Sequence, residues 1–156
     1  MSAHSGRCTC GQVRFRLTAA PMIVHCCHCS WCRRETGSAF VLNAVLEASA
    51  VEVLAGEVET VVTPSASGKG QRIDRCPVCR VAVWSVYSGA GPKIRFVRVG
   101  TLDAPERLPP DVHIFTSTAL PWLTPPPDAT TFAEYYDPAE VWSAEARARW
   151  RAARDG

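Results

Sequence analysis

The chain contains eight cysteines, the residues whose type and spacing are best suited to chemistry. They fall into three short groups: a C-x-C motif near the start, four cysteines within one segment, and a C-x-x-C motif further on. In that order the groups are Cys8 and Cys10; Cys26, Cys27, Cys29 and Cys32; and Cys76 and Cys79. Zinc takes four tetrahedral ligands, often thiolates, and short loops of this kind let two sulfurs converge on one ion. The pattern therefore predicts metal binding.

A closed site is the simplest pairing of the two distant motifs. Cys8 and Cys10 together with Cys76 and Cys79 make four thiolates, which would join the start of the chain to its middle. Such a site leaves no coordination position for a substrate, so we expect it to be structural and coupled to folding.

The middle group allows a different kind of site. Cys27, Cys29 and Cys32 supply three ligands, and three protein ligands with one exchangeable position are typical of catalytic zinc. Cys26 could close the site as a fourth ligand. Neighbouring residues of an extended segment face opposite ways, however, so we favour Cys26 as a non-ligand.

The four histidines are weaker candidates. Alternation predicts that His28 points away from the ion held by its neighbours. His25 is either a supporting partner of that site or, as we favour, a polar loop residue. His113 lies in a strand-like run and is predicted to be a structural histidine, whereas His4 lies in a segment expected to be mobile.

Composition limits the class of protein. The 156 residues are 47% hydrophobic and 21% charged with a formal net charge of +2, which is typical of a folded soluble chain and gives no support to nucleic-acid or membrane binding. The segment 1–7 has no apolar core of the kind a secretory signal needs, so we expect a cytoplasmic protein with reduced thiols. Thiol redox chemistry at Cys76/Cys79 or Cys26/Cys27 ranks below metal binding, because thiolates held by a metal are unavailable as nucleophiles.

The three groups, in this order, resemble the glutathione-dependent formaldehyde-activating enzymes, a family related to centromere protein V. The likeness covers about Gly6 to Trp122. It rests on the segments 8–15, 27–40, 75–79, 99–103, 113–115 and 121–122. Two features depart from the family pattern: Arg80 stands where the family usually has glycine, and Cys26 is an additional cysteine.

The resemblance implies a mainly β, antiparallel, tent-like fold with two zinc ions. By similarity the closed site (Cys8, Cys10, Cys76, Cys79) would be structural. Cys27, Cys29 and Cys32 would hold a catalytic zinc whose coordination is completed from outside. The implied activity is that of a carbon–sulfur lyase resembling S-(hydroxymethyl)glutathione synthase, acting on glutathione or another small thiol and on formaldehyde or a related aldehyde.

In this hypothesis zinc is the electrophilic centre, and the cysteines hold it rather than attack substrate. Arg33 and Arg34 are candidates to balance thiolate charge or bind a substrate carboxylate, although two surface arginines would look the same. Thr36, with Gly37 and Ser38, could supply hydrogen-bond donors or simply form a turn.

A non-catalytic alternative is a zinc-stabilised protein-interaction module. There the second zinc would be closed by Cys26 or another residue, and a terminal helix containing Trp142 and Trp150 would be the binding surface. Fold alone does not separate these two functions.

Short runs of alternating or apolar residues predict the strands that must position the cysteines. They are expected at Gln12–Leu17, Ala39–Leu46, Val51–Leu54, Glu59–Thr63, Val81–Tyr87, Lys93–Val99 and Val112–Thr118. The glycine-containing segment 88–92 is predicted to connect two strands of a hairpin. Turn signals between short strands favour an antiparallel sheet over βαβ units.

One helix is predicted, from about Pro138 to Ala153, with Asp137 as its N-cap. Trp142, Ala146, Trp150 and Ala153 share one face, which would dock on the domain or form a dimer contact. The arginines at 147, 149, 151 and 154 are expected to form a solvated face. We expect one zinc-binding domain over 1–156, with a core at about 6–122 and a proline-rich segment and helix at about 123–156.

Overall fold

The computed structural model describes residues 3–156 and is mainly β, as the sequence predicts. Its strands are β1 His4–Arg7, β2 Arg14–Leu17, β3 Ile23–Cys27, β4 Val41–Glu47, β5 Val51–Ala55, β6 Glu59–Thr63, β7 Gln71–Arg75, β8 Ala82–Tyr87, β9 Ile94–Arg98 and β10 Val112–Ile114. Its α-helices are α1 Ser30–Thr36, α2 Pro138–Val141 and α3 Ala144–Asp155. Of these helices, none has the length and apolar character needed to cross a membrane.

The strands form two sheets. A three-stranded sheet has the order β1-β2-β5, and a seven-stranded sheet has the order β10-β3-β4-β9-β8-β7-β6. The pairing is antiparallel, as predicted, except that β10 runs parallel to β3 at the edge of the larger sheet. That one parallel pair brings His113 beside Cys26.

One hydrophobic core lies between the two sheets. The predicted alternation of Val13, Phe15 and Leu17 is confirmed, since all three side chains are fully buried. The Phe15 ring meets the Trp84 ring edge to face, with centroids 5.4 Å apart. This core fixes the small sheet, and with it the β1–β2 connection, against the large one.

A second core covers the other face of the seven-stranded sheet. Val45 and Ile94 pack there with Cys27, and Trp142 and Ala146 of the C-terminal region cover them. The predicted docking of the helix by its apolar face is therefore what the structure shows. Trp142 is buried, so it offers no surface to a partner protein.

The last predicted strand ends earlier than the sequence pattern indicates. β6 has the predicted bounds, but the strand predicted at Val112–Thr118 stops at Ile114. Phe115 has a φ of 56°, in the left-handed region, and a short 3₁₀ turn follows at Thr116–Thr118. A left-handed residue cannot continue the extended pairing of a strand.

Three strands were not predicted, namely β1, β3 and β7. β1 includes His4, so the prediction of a mobile segment there is wrong: His4 pairs with Leu17. β3 is buried on both faces and lacks alternation, and β7 has Ile73 as its one large apolar residue. His25 lies within β3 and is buried, which corrects the prediction of a polar loop.

The predicted single helix is two helices separated by Trp142 and Ser143. Asp137 caps α2 as predicted, by accepting from the Ala139 amide at 2.9 Å. Ser143 starts a second helix by accepting from the Ala146 amide at 3.0 Å. The extended backbone at the break turns the indole of Trp142 into the second core, where its Nε1 donates to the Tyr136 hydroxyl at 2.7 Å.

One predicted surface arginine is tied into the fold. Arg149 donates from Nε and Nη2 to the two carboxylate oxygens of Glu47 in β4, at 2.7 and 2.6 Å. Its Nη1 also donates to the Ala20 carbonyl at 3.0 Å. The expectation of a solvated face is therefore wrong at Arg149, which holds α3 against the large sheet.

Candidate metal centres

The four-cysteine cluster (Cys8, Cys10, Cys76, Cys79) lies where the two sheets meet. Its first pair is in the β1–β2 connection and its second pair is in the β7–β8 turn. All four sulfurs lie within 4.8 Å of one another, with Cys8–Cys10 at 3.6 Å and Cys10–Cys76 at 3.7 Å. Sulfurs at tetrahedral corners around zinc, each about 2.3 Å from the ion, would be roughly 3.8 Å apart. The donor set and its spacing therefore fit a zinc ion.

Backbone turns with left-handed residues bring these sulfurs together. Gly11 has a φ of 77° and its amide donates to the Cys8 carbonyl. Arg80 occupies the corresponding place in the other turn. It has a φ of 65°, and its amide donates a hydrogen bond to the Cys76 carbonyl. This is the position where glycine was expected. Arg80 takes the conformation that glycine adopts freely, and its guanidinium pairs with Glu59.

Amide groups around the cluster favour thiolates. The Val13 amide donates to Cys8 Sγ at 3.3 Å, and the Val78 amide donates to Cys76 Sγ at 3.4 Å. A hydrogen bond from the Cys10 amide, followed by one from the Val81 amide, lowers the pKa of Cys79 to about 6. Donors that stabilise the charged sulfur favour the form that binds a metal.

The three-cysteine cluster (Cys27, Cys29, Cys32) lies on the second core. Cys27 ends β3, Cys29 is the N-cap of α1, and Cys32 is in the first turn of that helix. The Cys32 amide donates to Cys29 Sγ at 3.3 Å, so the cap itself is a thiol. The three sulfurs lie within 4.8 Å of one another, and all three residues are buried.

These thiols strongly influence one another's ionisation. Hydrogen bonds from Cys27 and Cys32 lower the pKa of Cys29 to about 2, while hydrogen bonding to Cys29 and Cys32 raises the pKa of Cys27. Ionisation of one thiol therefore disfavours ionisation of the others, and further thiolates need a cation to balance them. A trio of sulfurs with this demand fits a thiophilic metal ion.

Arg98 is a buried cation beside this cluster that the sequence did not single out. Its guanidinium donates to Asn43 Oδ1 and, at 2.8 Å, to Ser85 Oγ. Within residues 3–156 no carboxylate forms an ion pair with it. The hydrogen bond between Cys27 and Cys32 lowers the pKa of Cys32, whereas the hydrogen bond with Cys29 and burial raise it. The net result is a pKa of about 11, and the positive charge of Arg98 acts to lower it. Arg98 thus places a buried positive charge beside the three-cysteine cluster.

Tyrosines border the same cluster. Tyr87, at the end of β8, lies beside Cys32, and burial raises the pKa of its hydroxyl well above the ordinary range. Tyr136 packs in the core that contains Cys27, and its hydroxyl lies 2.5 Å from His25 Nε2. Tyr135 stacks on Tyr136 and is 48% exposed. The segment after residue 130 therefore covers the three-cysteine cluster.

The predicted polar candidates lie along α1. Arg34 is exposed and Arg33 is half-buried. The Thr36 hydroxyl donates to the Cys32 carbonyl at 2.9 Å, so it serves its own helix. Glu35, which was not a candidate, forms an ion pair with Arg75, the residue before Cys76. That pair connects the helix of the three-cysteine cluster to the turn of the four-cysteine cluster.

Two surface depressions lie away from the three-cysteine cluster. One of about 370 Å³ borders Cys8 and Thr101, and one of about 480 Å³ borders Phe15. Both are lined by Arg7 and Asp103, an exposed ion pair with 3.6 Å between its atoms. They contain no array of nucleophile, base and donor comparable with the sulfur clusters among the described residues.

Comparisons with known proteins place this chain beside the following family and relatives. A family model described as glutathione-dependent formaldehyde-activating enzyme matches residues 3–118. A Halomonas elongata protein with the name "Putative glutathione-dependent formaldehyde-activating enzyme" is 27% identical over 123 residues, which are 76% of this chain and 78% of that protein. A crystal structure of a Rhodobacter sphaeroides protein is 20% identical with a TM-score of 0.48, covering 64% of this chain and 87% of its own.

Proposed function

We propose a specific reaction for this chain, which belongs to the family of glutathione-dependent formaldehyde-activating enzymes. The sulfur of glutathione, or of another small thiol, adds to the carbonyl carbon of formaldehyde or a related small aldehyde. A carbon–sulfur bond forms, the carbonyl double bond becomes a single bond, and the thiol proton ends on the oxygen. The product from glutathione is S-(hydroxymethyl)glutathione, and the reverse reaction is that of a carbon–sulfur lyase.

The protein's part in this reaction begins with two metal sites. Cys8, Cys10, Cys76 and Cys79 would hold a structural zinc, and Cys27, Cys29 and Cys32 would hold a catalytic one. When bound, such a zinc supplies a Lewis acid that polarises an aldehyde carbonyl or favours the thiolate of a thiol substrate. The cysteines themselves are ligands in this proposal and do not attack the substrate.

One observation carries the proposal: the second cluster has three sulfurs where the first has four. Cys26, the residue that could have closed it, pairs in register with His113, and its sulfur lies 3.5 Å from His28 Nε2 instead. Three protein ligands leave one coordination position for an exchangeable partner, as catalytic zinc requires.

Charge around the cluster supports the same assignment. Three thiolates and a divalent cation carry a net charge of −1, and Arg98 is a buried guanidinium without a carboxylate partner among the described residues. A buried charge is costly unless it is compensated nearby. We therefore assign to Arg98 the charge-balancing role that Arg33 and Arg34 were expected to fill, and Arg34 remains the exposed candidate for a substrate carboxylate.

Substrate access involves the aromatic residues at the edge of the cluster. Trp31, between two of the cysteines, is 47% exposed, and Tyr135 lies near Cys27 with about the same exposure. Both are amphipathic aromatic side chains that are about half exposed, which suits contact with a small peptide thiol. We propose that they border the entrance, and that residues 1–156 act as one zinc-binding domain in which α2 and α3 cover this face.

Isothermal titration of glutathione into zinc-loaded protein tests the binding step. We expect binding by the wild type, loss of binding in Cys29→Ser, and retention in the neighbouring control Ser30→Ala. S-methylglutathione, in which the thiol is blocked, should bind much more weakly. Binding that is unchanged in Cys29→Ser would remove the three-cysteine cluster from the substrate site.

The chemical step needs its own measurement. Labelled formaldehyde and glutathione, followed by NMR, give the rate of S-(hydroxymethyl)glutathione formation with and without protein. We expect acceleration by the zinc-loaded wild type and none by Cys29→Ser. A rate equal to the spontaneous one, for glutathione with formaldehyde and also for other small thiols and aldehydes, would contradict the enzymatic function. It would favour the zinc-stabilised interaction module.

A further inference from the structure

We propose that Cys26, His28 and His113 form a third metal site, separate from both cysteine clusters. The proposal does not rest on the proposed function. Its ligands come from the residues left over when the four-cysteine and three-cysteine clusters are assigned. Its ion would be a single thiophilic d¹⁰ cation, Zn²⁺ or Cu⁺, held by one thiolate and two imidazoles.

Strand register puts the three side chains together. Cys26 of β3 is paired with His113 of β10 in the parallel ladder, so the two side chains lie on the same face of the sheet. His28 follows Cys26 by two residues, and its amide continues the ladder by donating to the Ile114 carbonyl at 3.0 Å. Cys27 lies between them and faces the other core. Alternate residues of one short segment thus serve two different sites.

The distances are those of a common coordination sphere. Cys26 Sγ lies 3.5 Å from His28 Nε2, and His28 Nε2 lies 3.0 Å from His113 Nδ1. All three donor atoms are within 4.8 Å of one another. With Zn–S near 2.3 Å and Zn–N near 2.0 Å, tetrahedral angles give about 3.5 Å between sulfur and nitrogen and about 3.3 Å between nitrogens. The two histidine nitrogens would have to separate by only a few tenths of an ångström.

Burial makes the arrangement unusual for histidines without a ligand. The exposed fractions are 2% for Cys26, 0% for His28 and 8% for His113. His28 Nδ1 is buried and makes no hydrogen bond within the described part of the chain. In a neutral imidazole one nitrogen donates and the other accepts, so hydrogen bonds inside the trio always leave one polar atom of His28 unpaired. Among the described residues Nδ1 is unpaired with or without an ion, and Nε2 is the atom that faces the other two donors.

Charge and ligand number select the class of ion. One thiolate with two neutral imidazoles is a mixed soft and borderline donor set, which favours zinc and copper over calcium or magnesium. Cu⁺ would make the site neutral, whereas Zn²⁺ would leave one positive charge and call for a fourth ligand. Buried charge is costly, and within residues 3–156 only these three donors converge. Both ions are therefore tested.

The zinc test is a count of ions per chain under anaerobic conditions. After loading with Zn²⁺ and desalting, we expect three ions per wild-type chain and two per Cys26→Ala chain. Val24→Ala is the matched control, because Val24 is buried on the same face of β3 but offers no donor atom. It should keep three ions.

The copper test adds Cu⁺ to protein that holds two zinc ions per chain, in competition with a chromophoric Cu⁺ chelator. We expect one Cu⁺ per chain with the content of cysteine-bound zinc unchanged, and no such copper in Cys26→Ala. X-ray absorption on the wild type should show two imidazoles and one sulfur around that ion. This signature is distinctive because the other seven candidate ligands are sulfurs.

Retention of a third ion by either route, lost in Cys26→Ala, supports the site and identifies its metal. A wild type that binds neither a third Zn²⁺ nor a Cu⁺ overturns the proposal and leaves a hydrogen-bonded trio. A third ion that persists in Cys26→Ala also overturns it. If Cys26→Ala fails to fold, the imidazole signature of the wild type decides alone.

Discussion

The four-cysteine and three-cysteine clusters use the same side chain in two different environments. The first lies in two turns at the junction of the sheets, with Cys10 exposed and Cys79 half-exposed. The second is buried between β3, α1 and the C-terminal segment, next to the buried guanidinium of Arg98. The first collects donors from residues far apart in the chain, whereas the second takes all its sulfurs from one short segment.

This difference predicts that the four-cysteine cluster contributes mainly to the stability of the fold and the three-cysteine cluster mainly to the proposed chemistry. A cluster that joins distant turns constrains the fold, because the ion bridges segments that are far apart in the unfolded chain. A cluster from one segment closes only a small loop, so it contributes less to holding the sheets together. In the proposed function, burial and the nearby Arg98 cation would instead prepare it for an ion with an exchangeable coordination position.

The largest expected effect is the loss of a ligand from the first cluster. Structural zinc sites in small domains contribute roughly 10–16 kcal/mol, so we expect Cys76→Ser to lower the free energy of unfolding by about 5 kcal/mol or more. That loss corresponds to a Tm lower by ~10–20 °C. Cys29→Ser, measured in the same calorimetric experiment, should cost less than about 2 kcal/mol. Equal losses in the two variants would contradict the division of roles.

Replacing Arg98 should affect only the second cluster. Supporting residues around metal ligands typically change affinity by about 10–100-fold, so we expect a loss of that size for Arg98→Met at the three-cysteine cluster. Competition with a zinc chelator would resolve the two clusters as two phases. Arg95→Met is the matched control, because it removes the same charge from the same strand, where Arg95 packs over Trp84. A parallel loss in both phases would argue for a general effect on folding.

The ion pair between Glu47 and Arg149 tests the cover of the second cluster. The pair is mostly buried, with side-chain exposures of 19% and 23%, and a bond of this kind contributes about 1.5–3 kcal/mol. Arg149→Met should lower stability by that amount and speed thiol modification at Cys27. The four-cysteine cluster should be modified at an unchanged rate, as followed by mass spectrometry.

The pH dependence of the same variant has a definite sign. Burial alone would raise the pKa of Glu47, but the hydrogen bonds and charge of Arg149 lower it overall. The stabilisation is therefore complete above the ordinary glutamate pKa, about 4.3, and is lost as the pH falls through the lowered value. Chemical unfolding of wild type and Arg149→Met should show a constant difference from pH 7 to pH 5 that shrinks below pH 4.

The smallest expected effect is at the first cluster's own turn. Arg80 has a φ of 65°, and a left-handed conformation costs a non-glycine residue about 1–2 kcal/mol. The exposed pair with Glu59 returns at most about 1 kcal/mol, so Arg80→Gly should stabilise the protein by under ~1 kcal/mol. Thermal unfolding of Arg80→Gly against Glu59→Gln separates the two contributions. A destabilised Arg80→Gly would show that the ion pair dominates.

The sequence was informative where spacing is local. Motifs such as C-x-C and C-x-x-C set the reach of their sulfurs through a few backbone bonds, and the alternation around Phe15 predicts its burial directly. It was uninformative about Arg98 and Arg75, which look like any other arginine of the chain. Their roles depend on Asn43 and Glu35, residues that come close only through strand pairing and the placement of α1.

By itself, then, the sequence determined the inventory of candidate ligands, their grouping, the family resemblance and most of the strands. Tertiary structure decided which face each ligand occupies and what surrounds it. Alternation separates Cys26 from Cys27, but it takes the parallel register of β3 and β10 to bring His113 to Cys26. It takes the break at Ser143 to bury Trp142 over the three-cysteine cluster's core. Contacts between distant segments are set by the packing of the whole chain, and no local pattern encodes them.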